Sequence, residues 1–250
     1  MDHQKPLFWR TRLVLLLGFI LIQTVFWSLV SISLFLADHS GRLTHKYGAR
    51  PWSKILLWAS RVEANLDGME NLVPGKAPLV FVSNHQSMFD ILALLACLPV
   101  DFKFVVKKEL MAVPLWGYAM KKANYIFIDR EDSSQTRELI RETVLKIQQG
   151  SSVLFFAEGT RSNDGRLGPF KRGAFFLASQ SACNVVPLVI QGSREVLPKK
   201  SLFIRPGRIS ISILPPVTDP ALKKNSRRLL TEVRERMLAH LNQEESTAAV

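Results

Sequence analysis

His85 and Asp90 are the two residues whose types and spacing best suit acid–base chemistry. Five positions apart, they would project from roughly opposite faces of an ideal helix, so they meet only if His85 lies in a turn and Asp90 in the first turn of the next helix. Ser87 is a suitable N-cap for that helix. In this geometry Asp90 accepts the Nδ1 proton of His85 and leaves Nε2 free to act as a general base.

The sequence offers no obvious enzyme nucleophile to accompany this pair. It contains no G-x-S-x-G pattern, and neither Cys97 nor Cys183 is near a histidine in the chain. The nucleophile is therefore expected to be a hydroxyl group of the substrate, deprotonated by His85. Two other interpretations stay open, namely a metal site, which lacks the further ligands that zinc normally has, and a structural pair that caps a helix.

Further polar segments could bind an anion beside this base. Glycine permits close approach of the backbone, arginine offers a planar donor fork, and hydroxyls add hydrogen bonds. The candidates are Arg130, Glu158, Gly159, Thr160, Arg161, Ser162, Lys171 and Arg172. Each arginine taken alone is typical of a surface charge, but the set next to a general base favours a phosphorylated alcohol as substrate.

The elements that position these residues follow from short, continuous apolar runs, which are typical of strands covered on both faces. The predicted strands are residues 78–82, 102–106, 125–128, 153–156, 185–190 and 208–213, and the predicted helices are residues 91–97, 133–149, 172–181 and 222–243. This alternation predicts a single α/β domain with a mainly parallel sheet flanked by helices. Because the carboxyl ends of parallel strands meet at one edge, the polar segments should converge there.

The amino terminus predicts a membrane-embedded helical segment before this domain. No charged residue lies between Leu13 and Ala37, which exceeds the roughly 20 apolar residues needed to cross a bilayer. Basic residues flank both sides, and the polar positions within the segment would permit a bend and a return to the same side. A buried pair of soluble helices is the alternative. Residues 51–61 predict an amphipathic helix, either at the membrane interface or packed on the core.

Composition is consistent with this division of the chain. We expect an anchor and interfacial helix over residues 1–62 and the α/β domain over residues 63–250. The formal net charge of +12 suits anionic lipid, phosphorylated substrates or nucleic acid, although it could simply aid solubility. Cys97 and Cys183 lie in apolar runs and are expected to be buried thiols in a reducing compartment.

Several segments resemble, in order, the signature blocks of the glycerolipid acyltransferases, the family that contains the 1-acyl-sn-glycerol-3-phosphate acyltransferases. The four blocks correspond to Asn84-His85-x-x-x-x-Asp90, Phe127 to Arg130, Glu158 to Ser162 and Val186 to Ile190, and residues 108–110 and 170–174 also fit the pattern. The resemblance covers most of the α/β part of the chain.

The resemblance implies transfer of an acyl chain from acyl-CoA or acyl carrier protein to the sn-2 hydroxyl of lysophosphatidic acid, giving phosphatidic acid. It assigns His85 as the base and Asp90 as its orienting carboxylate. The phosphate would be bound by Arg130, Glu158, Gly159, Thr160, Arg161 and Lys171, with Pro187 on the acyl-donor side. Backbone amides that follow His85 are candidates for stabilising the oxyanion.

We expect no cofactor and no metal, with the acyl thioester as co-substrate. The expected partners are a lysophospholipid, the acyl donor and the bilayer, but not nucleic acid, and the expected location is a bacterial inner membrane with the catalytic part on the cytoplasmic side. Three alternatives remain: an acyltransferase for another lysolipid, such as lysophosphatidylglycerol or an amino-acid lysolipid; an esterase or thioesterase that uses water; and a non-catalytic protein that binds membrane surfaces or nucleic acid.

Overall fold

A seven-stranded sheet forms the centre of the described part of this computed structural model, which covers residues 7–72, 78–129, 133–181 and 183–248. The strands are β1 (Val62–Asp67), β2 (Val80–Ser83), β3 (Phe102–Lys107), β4 (Ile126–Ile128), β5 (Ser152–Phe156), β6 (Val185–Gln191) and β7 (Gly207–Ile213). Their spatial order is β1-β7-β6-β2-β5-β3-β4. The predicted α/β fold with a mainly parallel sheet is confirmed.

The strand directions place the site at one edge of this sheet. The strands β6, β2, β5, β3 and β4 are mutually parallel, whereas β7 is antiparallel to β6. The chain leaves β2 towards β3 on one side and later returns to β6 on the other, so β2 lies at a topological switch point. Ligands of open α/β sheets bind beyond the carboxyl ends of the strands at such a point.

Helices cover both faces of the sheet. They are α1 (Leu7–Ala37), α2 (Arg42–Thr44), α3 (Arg50–Ser60), α4 (Phe89–Cys97), α5 (Trp116–Lys122), α6 (Ser133–Gln148), α7 (Arg172–Ser181), α8 (Ser193–Val196), α9 (Pro220–Lys224) and α10 (Ser226–Ala248). Side chains of α3, α4 and α5 pack on one face, and side chains of α6, α7 and α10 pack on the other. Two apolar cores therefore sandwich the sheet, as expected for strands buried on both faces.

The amino-terminal segment forms a helical hairpin against the first of these cores. The helix α1 is continuous, without the bend that the sequence permits, and the chain reverses after it at residues 38–41. A π-helical turn over His45–Ala49 joins α2 to α3. The helices α2 and α3 form the second arm of the hairpin and contact polar groups of α1. The Trp52 indole donates to Thr24 Oγ1 at 3.2 Å, and Thr44 Oγ1 donates to the Ser31 carbonyl at 3.1 Å.

The apolar helix α1 is a candidate membrane span. Residues 11–37 have a mean hydropathy of 2.4, and few of them are buried within the protein. The amphipathic helix predicted over residues 51–61 is present as α3, which buries Leu56 and Leu57 in the core and leaves Trp58 exposed. The division at residue 62 stays a prediction.

Two parts of the fold differ from the sequence prediction. The strand β1 was not predicted, because it is short and alternates apolar with polar residues instead of forming a continuous apolar run. It lies at the edge of the sheet and pairs with β7. The single helix predicted over residues 222–243 is divided into α9 and α10 at Asn225. The Asn225 Oδ1 atom accepts the backbone N–H groups of Arg227 and Arg228, so this side chain starts a new helix.

Candidate active site

The predicted contact between His85 and Asp90 is present at the carboxyl end of β2. His85 Nδ1 lies 2.7 Å from Asp90 Oδ2, with His85 in the turn and Asp90 in the first turn of α4. Asp90 is fully buried, whereas 13% of the His85 side chain is exposed. His85 Nε2 has no hydrogen-bond partner among the described residues. The ring therefore has one nitrogen oriented by a carboxylate and one available to a substrate.

The same carboxylate also organises the turn that precedes α4. Asp90 Oδ2 accepts the backbone N–H groups of Gln86 at 2.7 Å and Ser87 at 2.8 Å. These two amides are thus already satisfied, so the expectation that amides after the His85 turn stabilise an oxyanion stays a prediction that concerns amides further along the chain. Met88, rather than Ser87, occupies the N-cap position of α4, and Ser87 Oγ accepts the Phe89 N–H at 3.2 Å.

Two neighbouring residues place His85 relative to the sheet. The Asn84 side-chain amide pairs with the backbone of Ile190 on β6, donating to its carbonyl at 2.8 Å and accepting its N–H at 2.7 Å. The ring of Phe156, at the end of β5, stacks on the imidazole with centroids 3.9 Å apart. The His85 imidazole is therefore positioned from both strands that flank β2.

Glu158 connects the two loops that follow β2 and β5. Its Oε1 accepts the His85 N–H at 3.2 Å, and its Oε2 accepts the Gly168 N–H at 3.3 Å. Burial raises the pKa of this carboxyl above its usual range, an effect that the two backbone hydrogen bonds oppose. Since both oxygens accept backbone amides, Glu158 supports the shape of the site, and its predicted contact with phosphate stays a prediction.

The loop after β5 passes close to His85 and then turns back. Ser162 N–H donates to the His85 carbonyl at 2.7 Å, and Lys171 N–H donates to the Ala157 carbonyl at 2.7 Å. Gly159 has a φ of 68°, a left-handed conformation that glycine adopts readily. A Cβ atom on Gly159 would lie 3.2 Å from the Lys171 side chain, so this backbone approaches the lysine closely.

A cavity of about 440 Å³ opens beside this loop. Glu158, Gly159, Thr160 and Lys171 line it together with the first turn of α7. The Lys171 ammonium and the Arg161 guanidinium make no hydrogen bond or ion pair within the described parts of the chain. An apolar-walled cavity next to available cations and a helix amino terminus can accept an anionic group with an apolar tail.

Arg130, Arg161 and Pro187 are the remaining predicted site residues. Arg130 lies outside the described residues, one position after Asp129, which lines the cavity. Arg161 follows Thr160 at the same rim but is not part of the cavity wall. Pro187 is buried within β6, paired with Val82 of β2, so the structure does not bring it to the rim and no contact supports its expected donor-side role.

A second, apolar cavity of about 60 Å³ lies between the helical hairpin and the sheet. It is lined by residues of α1, α3, α4, β3 and α5, including Trp116 of α5. Its wall includes Phe104, which stacks on Phe156 beneath His85 with centroids 5.8 Å apart. The hairpin therefore contributes to an apolar space that is separated from the His85 ring by the Phe156 ring.

Some functional contacts were not visible in the sequence. Phe156 was assigned only to a strand, because nothing in an apolar run distinguishes the residue that stacks on a histidine. The segment after β6 carried no recognisable pattern, yet Leu197 and Lys199 both contact the site. Among the described residues, no three His, Cys, Asp or Glu side chains converge in a way that could bind a metal ion.

A family model described as Acyltransferase matches residues 63–191, which include β2 to β6 and the loops that follow β2 and β5. This match covers half of the chain. The chain belongs to the acyltransferase family. The match includes His85 and Asp90 and the loop from Glu158 to Ser162, but it ends before Lys199.

Relatives of this acyltransferase chain carry a common name. The 1-acyl-sn-glycerol-3-phosphate acyltransferase BAT2 of Brassica napus is 37% identical over 66% of this chain and 48% of its own length. The 1-acyl-sn-glycerol-3-phosphate acyltransferase of Limnanthes alba is 32% identical over 79% of this chain and 70% of its own length. The chain thus spans about half the length of the first chloroplastic relatives that it matches.

A solved structure supports the fold. The crystal structure of PlsC, the 1-acyl-sn-glycerophosphate acyltransferase of Thermotoga maritima, matches with a TM-score of 0.76 at 24% sequence identity. The match covers 92% of this acyltransferase chain and 95% of the other. At this level of identity the likeness extends to the fold, including the region of the amino-terminal hairpin.

Proposed function

We propose that this chain transfers an acyl group from acyl-CoA or acyl carrier protein to the sn-2 hydroxyl of lysophosphatidic acid, producing phosphatidic acid. The observation that carries the proposal is the 2.7 Å contact between His85 Nδ1 and the buried Asp90. His85 Nε2 has no partner among the described residues, and two residues that contact His85, Phe156 and Glu158, line the neighbouring cavity. The names of the relatives support the choice of acceptor.

In the proposed reaction, His85 Nε2 removes the proton of the lipid hydroxyl as its oxygen attacks the thioester carbonyl. Asp90 keeps the imidazole in the required tautomer and stabilises its protonated form. Collapse of the tetrahedral intermediate breaks the carbon–sulfur bond, and the imidazolium returns its proton to the departing thiolate. No covalent acyl-enzyme is needed, because the acceptor itself supplies the nucleophile.

Acceptor binding is proposed for the cations at the rim. Arg161 and Lys171, with Arg130, would bind the phosphate, while Gly159 and Thr160 shape the loop that carries Arg161. Glu158 contributes by fixing the loops, since both of its oxygens accept backbone amides.

We also propose that α1 attaches the protein to a membrane, with the catalytic part on the cytoplasmic side of a bacterial inner membrane. The acceptor is a lipid, so a long apolar helix joined directly to the domain would keep the site close to its substrate. A mean hydropathy of 2.4 and the scarcity of buried residues in α1 support this role.

The test is an acyl-transfer assay on the purified protein with acyl-CoA and lysophosphatidic acid. Thiol release and lipid product should both depend on the acceptor, and lysophosphatidylglycerol and water alone serve as competing acceptors. Thiol release at the same rate without any lipid acceptor would contradict the transferase proposal and indicate a thioesterase. Product formed only from another lysolipid would move the proposal to that acceptor.

The variant His85→Ala should lower kcat by at least about a hundredfold, because a positioned general base contributes roughly 10²- to 10⁴-fold. His240→Ala, on α10 and remote from the site, is the matched control and should retain wild-type kcat. Both proteins should unfold at similar temperatures. Undiminished transfer by a folded His85→Ala protein would exclude His85 as the base.

A further inference from the structure

Lys199 lies beyond the residues matched by the acyltransferase model, yet it contacts the loop that carries Arg161. Its ammonium donates to the Arg161 carbonyl at 2.8 Å and to Thr160 Oγ1 at 3.3 Å. Within the described chain, neither Thr160 nor Arg161 makes another hydrogen bond. The conformation of this pair of residues therefore depends on Lys199.

The same segment also contacts the turn that carries the base. The Leu197 carbonyl accepts Ser87 Oγ at 2.8 Å, and the Ser87 N–H donates to the Asp90 carboxylate at 2.8 Å. Further back, Arg194 of α8 donates to the Asn163 carbonyl at 3.3 Å. A short stretch after β6 thus supports both the catalytic turn and the loop after β5.

The Arg161 backbone is fixed while its side chain is left available. Gly159 turns the chain with a φ of 68°, and the Ser162 N–H returns it to the His85 carbonyl at 2.7 Å. Between these points, Lys199 supplies a charge-assisted hydrogen bond, which is stronger than a neutral one. The Arg161 guanidinium has no partner among the described residues and can engage a ligand.

We propose that Lys199 is a positioning residue for acceptor binding: it fixes the Thr160–Arg161 backbone so that Arg161 meets the phosphate of the lysophospholipid. This inference rests on the proposed function. Lys199 also adds a positive charge beside the loop, so its loss weakens acceptor binding through both geometry and potential. The Lys199 ammonium makes no hydrogen bond to His85 or Asp90 in the described part of the chain, so we expect the contribution of this pair to be unaffected.

The test compares Lys199→Met with Lys200→Met, which removes the same charge one position further along from an exposed side chain. Lys199→Met should raise the KM for lysophosphatidic acid by about tenfold, as expected for a lost charged hydrogen bond. Its kcat and its KM for acyl-CoA should stay within threefold of wild type. Lys199→Arg should restore most of the acceptor affinity, and Lys200→Met should behave as wild type.

An unchanged KM for lysophosphatidic acid in Lys199→Met would overturn the inference. Loss of thermal stability with parallel increases in both KM values would also overturn it, because that pattern indicates a purely structural role. If Lys199→Met does not fold, the comparison is repeated with Lys199→Gln, which keeps a neutral donor. Calorimetric binding of sn-glycerol 3-phosphate needs no turnover. It therefore tests the role of Lys199 in acceptor binding separately from the proposed function. Failure of the proposed function would be detected by the wild-type transfer assay.

Discussion

At the scale of single residues, two carboxylates hold His85, the proposed base, in different ways. Asp90 Oδ2 contacts the His85 ring and two backbone amides, so one oxygen both orients the imidazole and closes the turn before α4. Glu158 fixes the His85 backbone from the opposite side. The two acids thus differ in that Asp90 contacts both the ring and the turn after it, whereas Glu158 contacts only the main chain of His85.

The raised pKa of Glu158 predicts a pH dependence of stability. An unfolded glutamate has a pKa near 4.5, and burial makes the folded value higher. The folded protein therefore binds more protons than the unfolded chain between these two values, so the free energy of unfolding falls as pH rises through this window. Glu158→Gln should remove this decline, as measured by denaturant unfolding from pH 4 upward.

Glu195→Gln is the control for this measurement, because Glu195 is exposed on α8. It should retain the wild-type pH profile. A Glu158→Gln protein whose stability still declined with the wild-type slope would show that another group is responsible.

At the scale of elements, the turn that follows β3 depends on a glycine in α5. A Cβ atom on Gly117 would lie 2.4 Å from the Met111 carbonyl oxygen and 2.7 Å from that of Leu110, so the helix touches the backbone of the 3₁₀ turn Lys108–Ala112. Lys108 begins this turn and forms an ion pair with Asp129 at 3.5 Å. The close packing thereby supports a cation that pairs with Asp129, a residue of the cavity wall.

Gly117→Ala should therefore destabilise the protein by about 1–3 kcal/mol, the usual effect of overpacking against atoms that cannot move away. The measurement is the thermal unfolding midpoint in detergent. Gly18→Ala in α1 is the matched control, since a Cβ atom there meets nothing within 4 Å. Equal midpoints for the two variants would contradict the packing argument.

At the scale of the whole molecule, the amino-terminal hairpin and α6 lie on opposite faces of the sheet. The 31-residue helix α1 is about 46 Å long, which is enough to cross the hydrocarbon core of a bilayer. Its apolar side chains are exposed on one side of the molecule. Membrane attachment should therefore depend on this face alone.

Leu21→Arg should reduce binding to anionic phospholipid vesicles, because a charge at the centre of a membrane helix opposes insertion by roughly 2.5–3.5 kcal/mol. Leu21 is 65% exposed. Leu145→Arg on α6, where the leucine is 47% exposed, is the control and should bind vesicles as wild type does. Vesicle flotation measures the bound fraction, and equal loss in both variants would argue against a specific role for α1.

The sequence by itself determined the class of the fold and predicted the candidate base of the site. His85, Asp90 and the loop at Glu158 were recognisable because residue types and local spacing are sufficient to indicate a base and its orienting acid. The buried strands were recognisable because continuous apolar runs have few other uses. These features are local, so each can be recognised from a short segment of the sequence.

Only the tertiary structure decided which distant residues complete the site. It showed that Glu158 binds the His85 backbone, that Phe156 stacks on the imidazole, and that Lys199 contacts the Arg161 loop. It also showed that the amides after His85 are occupied by Asp90 and that Pro187 lies inside the sheet. These contacts join residues across separate strands and loops, and their partners are set by strand order and packing, which local sequence patterns do not encode.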